Sequence, residues 1–241
     1  MTPKQRKAKN AYERERRRLH RLHAFENAAR EKGFVFVGGI DEVGRGPLAG
    51  PVVAACVVAA HPMMIRGLND SKQVRPDLRA RIAEQIRTLC TAWAVGEASV
   101  EEIDRLNIYW ASVLAMERAI ASLPIVPDYL ITDAVRIKSF DRPQEPLIKG
   151  DARCAVVAAA SILAKVHRDR LLVELHEVEP RYGFADHKGY GTPEHIAALK
   201  QYGPSPYHRA AWWRVREAQL AFGFSTEADD EPIPEAVFAG Q

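Results

Sequence analysis

Two adjacent carboxylates, Asp41 and Glu42, stand just ahead of a glycine-rich turn, Gly44-Arg45-Gly46-Pro47-Leu48-Ala49-Gly50-Pro51. The turn lies between two apolar runs, Phe34 to Val37 and Val52 to Ala60. Two more acids hold comparable places: Asp133 near the end of the apolar run Asp128 to Ala134, and Asp151 directly after Lys149-Gly150, where a helix-forming stretch opens. Acids at strand ends and helix starts project where the edge of a sheet opens into a site. Gathered there, they need a compensating cation, most simply a hard divalent metal. Phosphodiester hydrolysis by two metals uses such a set, with cations about 4 Å apart, one activating water and the other stabilising the leaving oxygen. Magnesium completes its shell with water and phosphate, so four acids suffice.

Taken singly, each residue has a structural reading beside the chemical one. Asp151 serves as well for an N-cap and Asp133 for a turn. Neighbours on a regular strand point to opposite faces, so Asp41 and Glu42 share one site only where the strand ends or bulges, a departure that Gly44 makes reasonable. The glycines either shape the turn or let backbone approach a ligand. Lys72, Lys165 and Arg209 could neutralise phosphate, and a structural ion pair would explain each equally well. Tyr190, between two glycines, reads as a packing residue as readily as a ligand contact. His187 and His208 lack the spacing and cysteine partners of a zinc site and read as structural or peripheral. Gly44-x-Gly46 has no third glycine at the dinucleotide-binding offset.

The elements that must position these groups follow from periodicity. Phe34 to Ile40, Val52 to Ala60, Thr91 to Ala98, Asp128 to Ala134 and Glu145 to Lys149 read as strands. Helices are expected from Pro76 to about Cys90, Val100 to Leu123, directly after Gly150-Asp151, Thr192 to about Tyr202, and Ala210 to Phe222. Strands that come first as a meander and later alternate with helices predict a mixed α/β sheet with helices on its faces. Residues 4–32 predict one helix with an apolar stripe of Leu19, Leu22, Phe25 and Ala29 and a basic face bearing Arg14, Arg16, Arg17, Arg18 and Arg21. That face is either solvated or a source of phosphate contacts.

The 241 residues, 47% of them hydrophobic, suffice for one sizeable core plus a small appendage. The formal net charge of +3 conceals an asymmetry. Residues 1–33 carry 11 Lys or Arg against 4 acids, residues 34–224 carry 23 against 22, and residues 225–241 carry 5 acids and no base. The expected division is therefore a basic helical arm (1–33), a central domain with a helical C-terminal extension (34–224) and an acidic tail of disordered composition (225–241). Cys56, Cys90 and Cys154 are widely spaced in apolar surroundings, which predicts buried free thiols in a reducing compartment. No apolar run reaches the roughly 18 residues of a membrane span, and a cytoplasmic location is the expectation.

The stretch Gly38-Gly39-Ile40-Asp41-Glu42-Val43-Gly44-Arg45-Gly46-Pro47 resembles the signature of ribonuclease HII. Further matches follow in family order: Leu68-Asn69-Asp70-Ser71-Lys72, Tyr129-Leu130-Ile131-Thr132-Asp133, Lys149-Gly150-Asp151, Ala158 to Val166, His187-Lys188-Gly189-Tyr190-Gly191-Thr192, and His208-Arg209. Ala134 departs from the usual glycine after the aspartate, and Ala211 from the usual serine after His-Arg. The resemblance implies an RNase H-like α/β domain with four metal-binding catalytic carboxylates, Asp41, Glu42, Asp133 and Asp151, holding Mg²⁺ or Mn²⁺ in a two-metal site. It also implies that Gly44, Arg45 and Gly46 read the 2′-hydroxyl of a ribonucleotide and that Tyr190 stacks on the sugar beside an RNA–DNA junction, with Lys72 as a further substrate contact. The implied substrates are RNA–DNA hybrids and duplex DNA with embedded ribonucleotides, cut on the 5′ side of the ribonucleotide by a monomer. A junction resolvase-like nuclease of the same fold would ignore the 2′-hydroxyl. A catalytically silent hybrid-binding protein would have no need of all four acids.

Overall fold

The computed structural model describes residues 1–222; the acidic segment 225–241 lies outside the described residues. Two N-terminal helices, α1 (Pro3–Leu22) and α2 (Ala24–Glu31), precede strands β1 (Val37–Val43) and β2 (Val52–Ala59). Then come α3 (Pro76–Leu89), β3 (Ala92–Ala98), α4 (Val100–Ala121), β4 (Tyr129–Asp133) and β5 (Gln144–Leu147). The remainder is helical: α5 (Gly150–Arg153), α6 (Ala155–Val178), a 3₁₀ turn at Pro180–Tyr182, α7 (Phe184–His187), α8 (Pro193–Tyr202) and α9 (Trp213–Ala221).

The five strands form one sheet in the order β3-β2-β1-β4-β5. β1, β2 and β3 pair antiparallel as a meander, while β4 lies parallel to β1 and β5 parallel to β4. Strand periodicity sorts the core. Val53, Ala55, Val57 and Ala59 of β2 face the cluster built on α6 and α3. Val52, Ala54, Cys56 and Val58 face the cluster built on α4. The central strand is thus covered on both faces, and this mixed sheet between helical layers is the architecture expected from the order of elements.

Close packing of α6 depends on Gly39, where an added Cβ would fall 2.3 Å from the Val156 carbonyl carbon. A third apolar cluster, with Leu48, Ala49, Leu172, Tyr182, Phe184, Leu199 and Val215, holds the C-terminal helices against the glycine-rich turn.

Several elements depart from expectation. β1 starts later and runs on through Asp41 and Glu42, because the Asp128 carboxylate takes the Val35 and Phe36 amides at 2.9 and 3.0 Å and holds those residues outside the sheet. The N-terminal helix is broken at His23. α4 contains a kink at Asn107 (φ 67°), whose side-chain oxygen caps the following turn through the amides of Tyr109 and Trp110. The last helix starts at Trp213 rather than Ala210, since the Asp104 carboxylate holds the Ala210 and Ala211 amides at 2.9 and 3.1 Å. Among the described residues no helix is long and apolar enough to cross a membrane, and Cys56, Cys90 and Cys154 are free thiols.

Candidate active site

The pairing of β1 with β4 ends at Ile40 and Thr132, whereas its pairing with β2 continues to Val43 and Val53. Asp41 and Glu42 therefore sit on a regular strand with no bulge, at the point where its parallel neighbour stops. Asp133, the last residue of β4, stands beside them. The condition that lets adjacent residues share a site is met by the end of the neighbouring strand, not of their own. Past that end Glu42 has no strand on one side to hold it to its face of the sheet.

The fourth acid joins through the backbone. Lys149 takes a left-handed conformation (φ 58°) and starts α5, whose first amide, Gly150 N, donates to Asp133 Oδ1 at 2.8 Å. Asp151 follows at once, half-buried. Instead of one helix opening here, the chain makes the single turn of α5, breaks at Cys154 and restarts as α6.

Electrostatics show the four acids acting on one another. Burial holds the Asp41 carboxyl well above its ordinary pKa, and the charges of Glu42, Asp133 and Asp151 raise it further against a hydrogen bond with Ser161. Burial raises Glu42 too; the Arg45 guanidinium, 3.2 Å from Glu42 Oε1, opposes this while Asp133 adds to it. Asp151 is raised by desolvation and by Asp70 and Asp133, with Lys72 opposing. The loop that supplies Asp70 and Lys72 is tied to the domain by Arg79, which donates to the Ser71 and Val74 carbonyls at 3.0 and 2.8 Å. Ser161 Oγ meets Ser71 Oγ at 2.9 Å in the same anchorage. Asp70 itself accepts from the Lys72 amide, leaving the Lys72 side chain exposed.

On the other side of Glu42 lies the glycine-rich turn. Gly44 has φ 95°, and a Cβ there would meet Arg168 Nε at 2.3 Å. Arg45 and Gly46 are exposed, and a Cβ on Gly46 would lie 3.8 Å from the exposed Tyr190 ring. Two buried arginines fix this turn. Arg168 donates to the carbonyls of Ala49, Pro51 and Lys188, each at 3.0 Å. Arg209 donates to the carbonyls of Gly44, Arg45 and Gly50 and lies over the Trp212 ring. Burial pushes their pKa values down to about 10 and about 9, so both remain charged at neutral pH. Arg209 is thus committed to the turn, and Lys165 to Asp169 at 2.6 Å; neither is free for phosphate.

The ribonuclease HII family model matches residues 38–215, a span holding every one of these groups. This chain belongs to the ribonuclease HII family. It is 50% identical over 204 residues to ribonuclease HII of Pelotomaculum thermopropionicum, covering 84% of this chain and 77% of the relative. With ribonuclease HII 1 of Methylibium petroleiphilum it shares 54% identity over 180 residues, 75% of this chain and 91% of that one. The crystal structure of ribonuclease H2 from Pyrococcus horikoshii superposes with a TM-score of 0.66 at 27% identity, covering 79% of this chain and all of that one. The chain is accordingly a type 2 ribonuclease H, an endoribonuclease with the RNase H-like fold.

In this ribonuclease HII the acidic pocket fits a divalent cation. Glu42 Oε2 is buried without a hydrogen-bond partner, and burial together with neighbouring carboxylate charge holds Asp41 and Glu42 above their ordinary pKa, an environment that suits a cation. Among the described residues no three His, Cys, Asp or Glu side chains are closed into a ligand set. Sequence reasoning passed over Asp70 and Arg168. Asp70 lies inside a matched motif but reads as a turn residue, and Arg168 is one arginine among many on a long helix, with nothing local to mark its burial.

Proposed function

We propose that this ribonuclease HII is a divalent-metal-dependent endonuclease that cuts on the 5′ side of a ribonucleotide, in RNA–DNA hybrids and in duplex DNA with embedded ribonucleotides. The products are a 3′-hydroxyl and a 5′-phosphate, and the biological use is ribonucleotide removal from DNA. One observation carries the reading: the acidic pocket and a preorganised glycine turn adjoin, through the Glu42–Arg45 ion pair and the packing of Gly46 beside Tyr190.

Asp41, Glu42, Asp133 and Asp151 would hold Mg²⁺ or Mn²⁺, which when bound supply an activated water and a stabilised leaving oxygen. The chain does the positioning. The Glu42 amide holds Asp41 Oδ1 at 2.8 Å, and the Gly150 amide holds Asp133, so two of the carboxylates are oriented by backbone donors. Gly44, Arg45 and Gly46 bring backbone groups to the 2′-hydroxyl, which as donor and acceptor distinguishes RNA from DNA. The exposed Tyr190 ring offers a face for the sugar next to the junction, and Lys72 a charge for phosphate. A monomer contains all of these groups.

The test compares a duplex with one embedded ribonucleotide, a matched all-DNA duplex and an RNA–DNA hybrid, each with Mg²⁺, Mn²⁺ or EDTA, for wild type and Asp41→Asn. Metal-dependent incision confined to ribonucleotides and lost in the variant is the expected result. Equal cutting of all-DNA duplex, or none by folded protein with either metal, would overturn the proposal.

A further inference from the structure

Three histidines lie in the C-terminal lobe, outside the acidic pocket. His195 and His208 are 0% and 4% exposed, and their Nε2 atoms meet at 2.9 Å. His195 Nδ1 lies 2.9 Å from the carbonyl oxygen of Tyr190. His208 Nδ1 lies 3.0 Å from Ser205 N and 2.8 Å from Ser205 Oγ. His187 stacks on His195 with ring centroids 4.3 Å apart, its Nε2 on the Tyr182 carbonyl and its Nδ1 taking the Gly189 amide at 3.2 Å.

These partners fix the proton positions. A carbonyl only accepts, so His195 donates through Nδ1 to Tyr190 and its Nε2 is an acceptor. His208 must then donate through Nε2, which leaves its Nδ1 to accept from the Ser205 amide and hydroxyl. Each ring carries one proton and the chain has a direction, from Ser205 through His208 and His195 to Tyr190. Burial pushes His195 down to about 4 and His208 down to about 3, in keeping with two uncharged rings.

The backbone of the same segment grips the glycine turn. Ala49 forms a β-bridge with His208, Gly50 N donates to Tyr207 O at 2.9 Å, and Arg209 N donates to Leu48 O at 2.9 Å. On the other side Leu48 N donates to Gly189 O at 2.8 Å, next to Tyr190. His208 therefore links both halves of the recognition surface, touching the turn through its backbone and reaching Tyr190 through the ring of His195.

We infer that the His208–His195 relay is a positioning device for substrate recognition: it fixes the Tyr190 carbonyl relative to the glycine turn and so sets the exposed Tyr190 ring over Gly46. The inference rests on the proposed role of Tyr190 as a substrate contact. His195 is a positioning residue in this scheme, acting through Tyr190 without touching substrate.

A double-mutant cycle decides it. His195→Phe keeps a ring of similar shape against Phe184 and His187 and removes both hydrogen bonds; His195→Gln restores a donor and an acceptor, and His195→Leu, which also lacks both bonds, serves if His195→Phe fails to fold. KM and kcat are measured on the single-ribonucleotide duplex for the His195 variants, for Tyr190→Ala, and for each His195 variant combined with Tyr190→Ala, with thermal melts alongside. The expected result is that His195→Phe raises KM about tenfold with kcat nearly unchanged, that Gln recovers part of this, and that neither adds to Tyr190→Ala. Full additivity with Tyr190→Ala, or no rise in KM in folded His195→Phe, overturns the relay. If His195→Phe is unfolded, a KM for folded His195→Leu equal to wild type, or additive with Tyr190→Ala, overturns it instead. An unchanged KM in Tyr190→Ala alone is a different failure, that of Tyr190 as a substrate contact.

Discussion

The acidic pocket and the recognition lobe meet at Arg45, and they are built on opposite terms. The pocket leaves groups unsatisfied: like charges face one another, Asp41 and Glu42 are held above their ordinary pKa, and Glu42 Oε2 has no partner. The groups that anchor the turn are satisfied: two buried guanidiniums are filled with carbonyls, and His195 and His208 each use both ring nitrogens. The difference agrees with what each is proposed to bind. A pocket for hard cations needs negative charge that only the ligand relieves, whereas a surface that measures one hydroxyl needs rigid backbone and no movable charge. Altering the pocket should therefore lower activity and raise stability, whereas altering the anchors of the turn should lower both.

The largest effect belongs to the pocket. Asp41→Asn or Asp133→Asn should lower the cleavage rate by about a thousandfold or more, while raising the melting temperature measured in EDTA, because a like charge is removed. Added Mg²⁺ should raise the melting temperature of wild type and have much less effect on the variant. Single-turnover cleavage and melts with and without metal measure both halves. A variant that loses activity and stability together would show the acids to be structural, and the contrast between the regions would fail.

Arg209→Met should instead lose stability and activity together. It leaves the carbonyls of Gly44, Arg45 and Gly50 without donors in a buried site, and a loss of about 3 kcal/mol is expected, read by denaturant unfolding. At a temperature where the variant stays folded, KM for a ribonucleotide-containing duplex should rise more than kcat falls. Discrimination against all-DNA duplex should weaken.

How far these features could be read from sequence differs between the two regions. The pocket was legible because its acids lie where apolar runs stop at a charged residue, and because β2 is an unbroken apolar run that marks a buried strand. What escaped was geometric: that Asp41 and Glu42 share a site because β4 ends, and that α5 and α6 are separate helices. Strand pairing across the gap from Ile40 to Thr132 is a long-range fact that no local pattern encodes. The lobe was far less legible. Arg168, His195 and Ser205 find their separate partners only after α6, α8 and the 203–209 segment have packed, and a buried arginine bound to carbonyls has no sequence signature. Arg209 had two readings of equal merit until its burial decided for the structural one.

Changing pH separates the regions more gently. His195 and His208 titrate below the usual 6.5, at about 4 and about 3, so the unfolded chain binds more protons between those values. Their contribution to stability is complete above pH 6.5 and is lost as the pH falls toward 4, by up to about 1.4 kcal/mol per pH unit for each histidine. The raised carboxylates of the metal-free pocket run the other way: their contribution is complete below their unfolded pKa and is lost as the pH rises through the folded one. Asp41→Asn removes part of this offset, so its stability in EDTA should fall more steeply with acid than that of wild type. Equal slopes between pH 6.5 and 4.5, measured by denaturant unfolding, would mean that the pocket contributes no opposing trend.

The smallest effect tests whether the pocket is also held by strain. Ala134, directly after Asp133, has φ 60°, a left-handed conformation that costs an ordinary residue about 1 kcal/mol or more and a glycine almost nothing. Glycine adds freedom to the unfolded chain, so Ala134→Gly should stabilise the protein by a net amount of about 0.5 kcal/mol. Asp133 is already held by the Gly150 amide, and the turn is fixed by the Val135 amide on the Asp133 carbonyl at 2.8 Å. Cleavage should therefore stay within about twofold of wild type if hydrogen bonds alone aim the carboxylate. A fall in kcat at constant KM, together with the gain in stability, would show instead that the strained turn helps to aim Asp133. The pocket would then be preorganised by backbone strain and the lobe by hydrogen bonds.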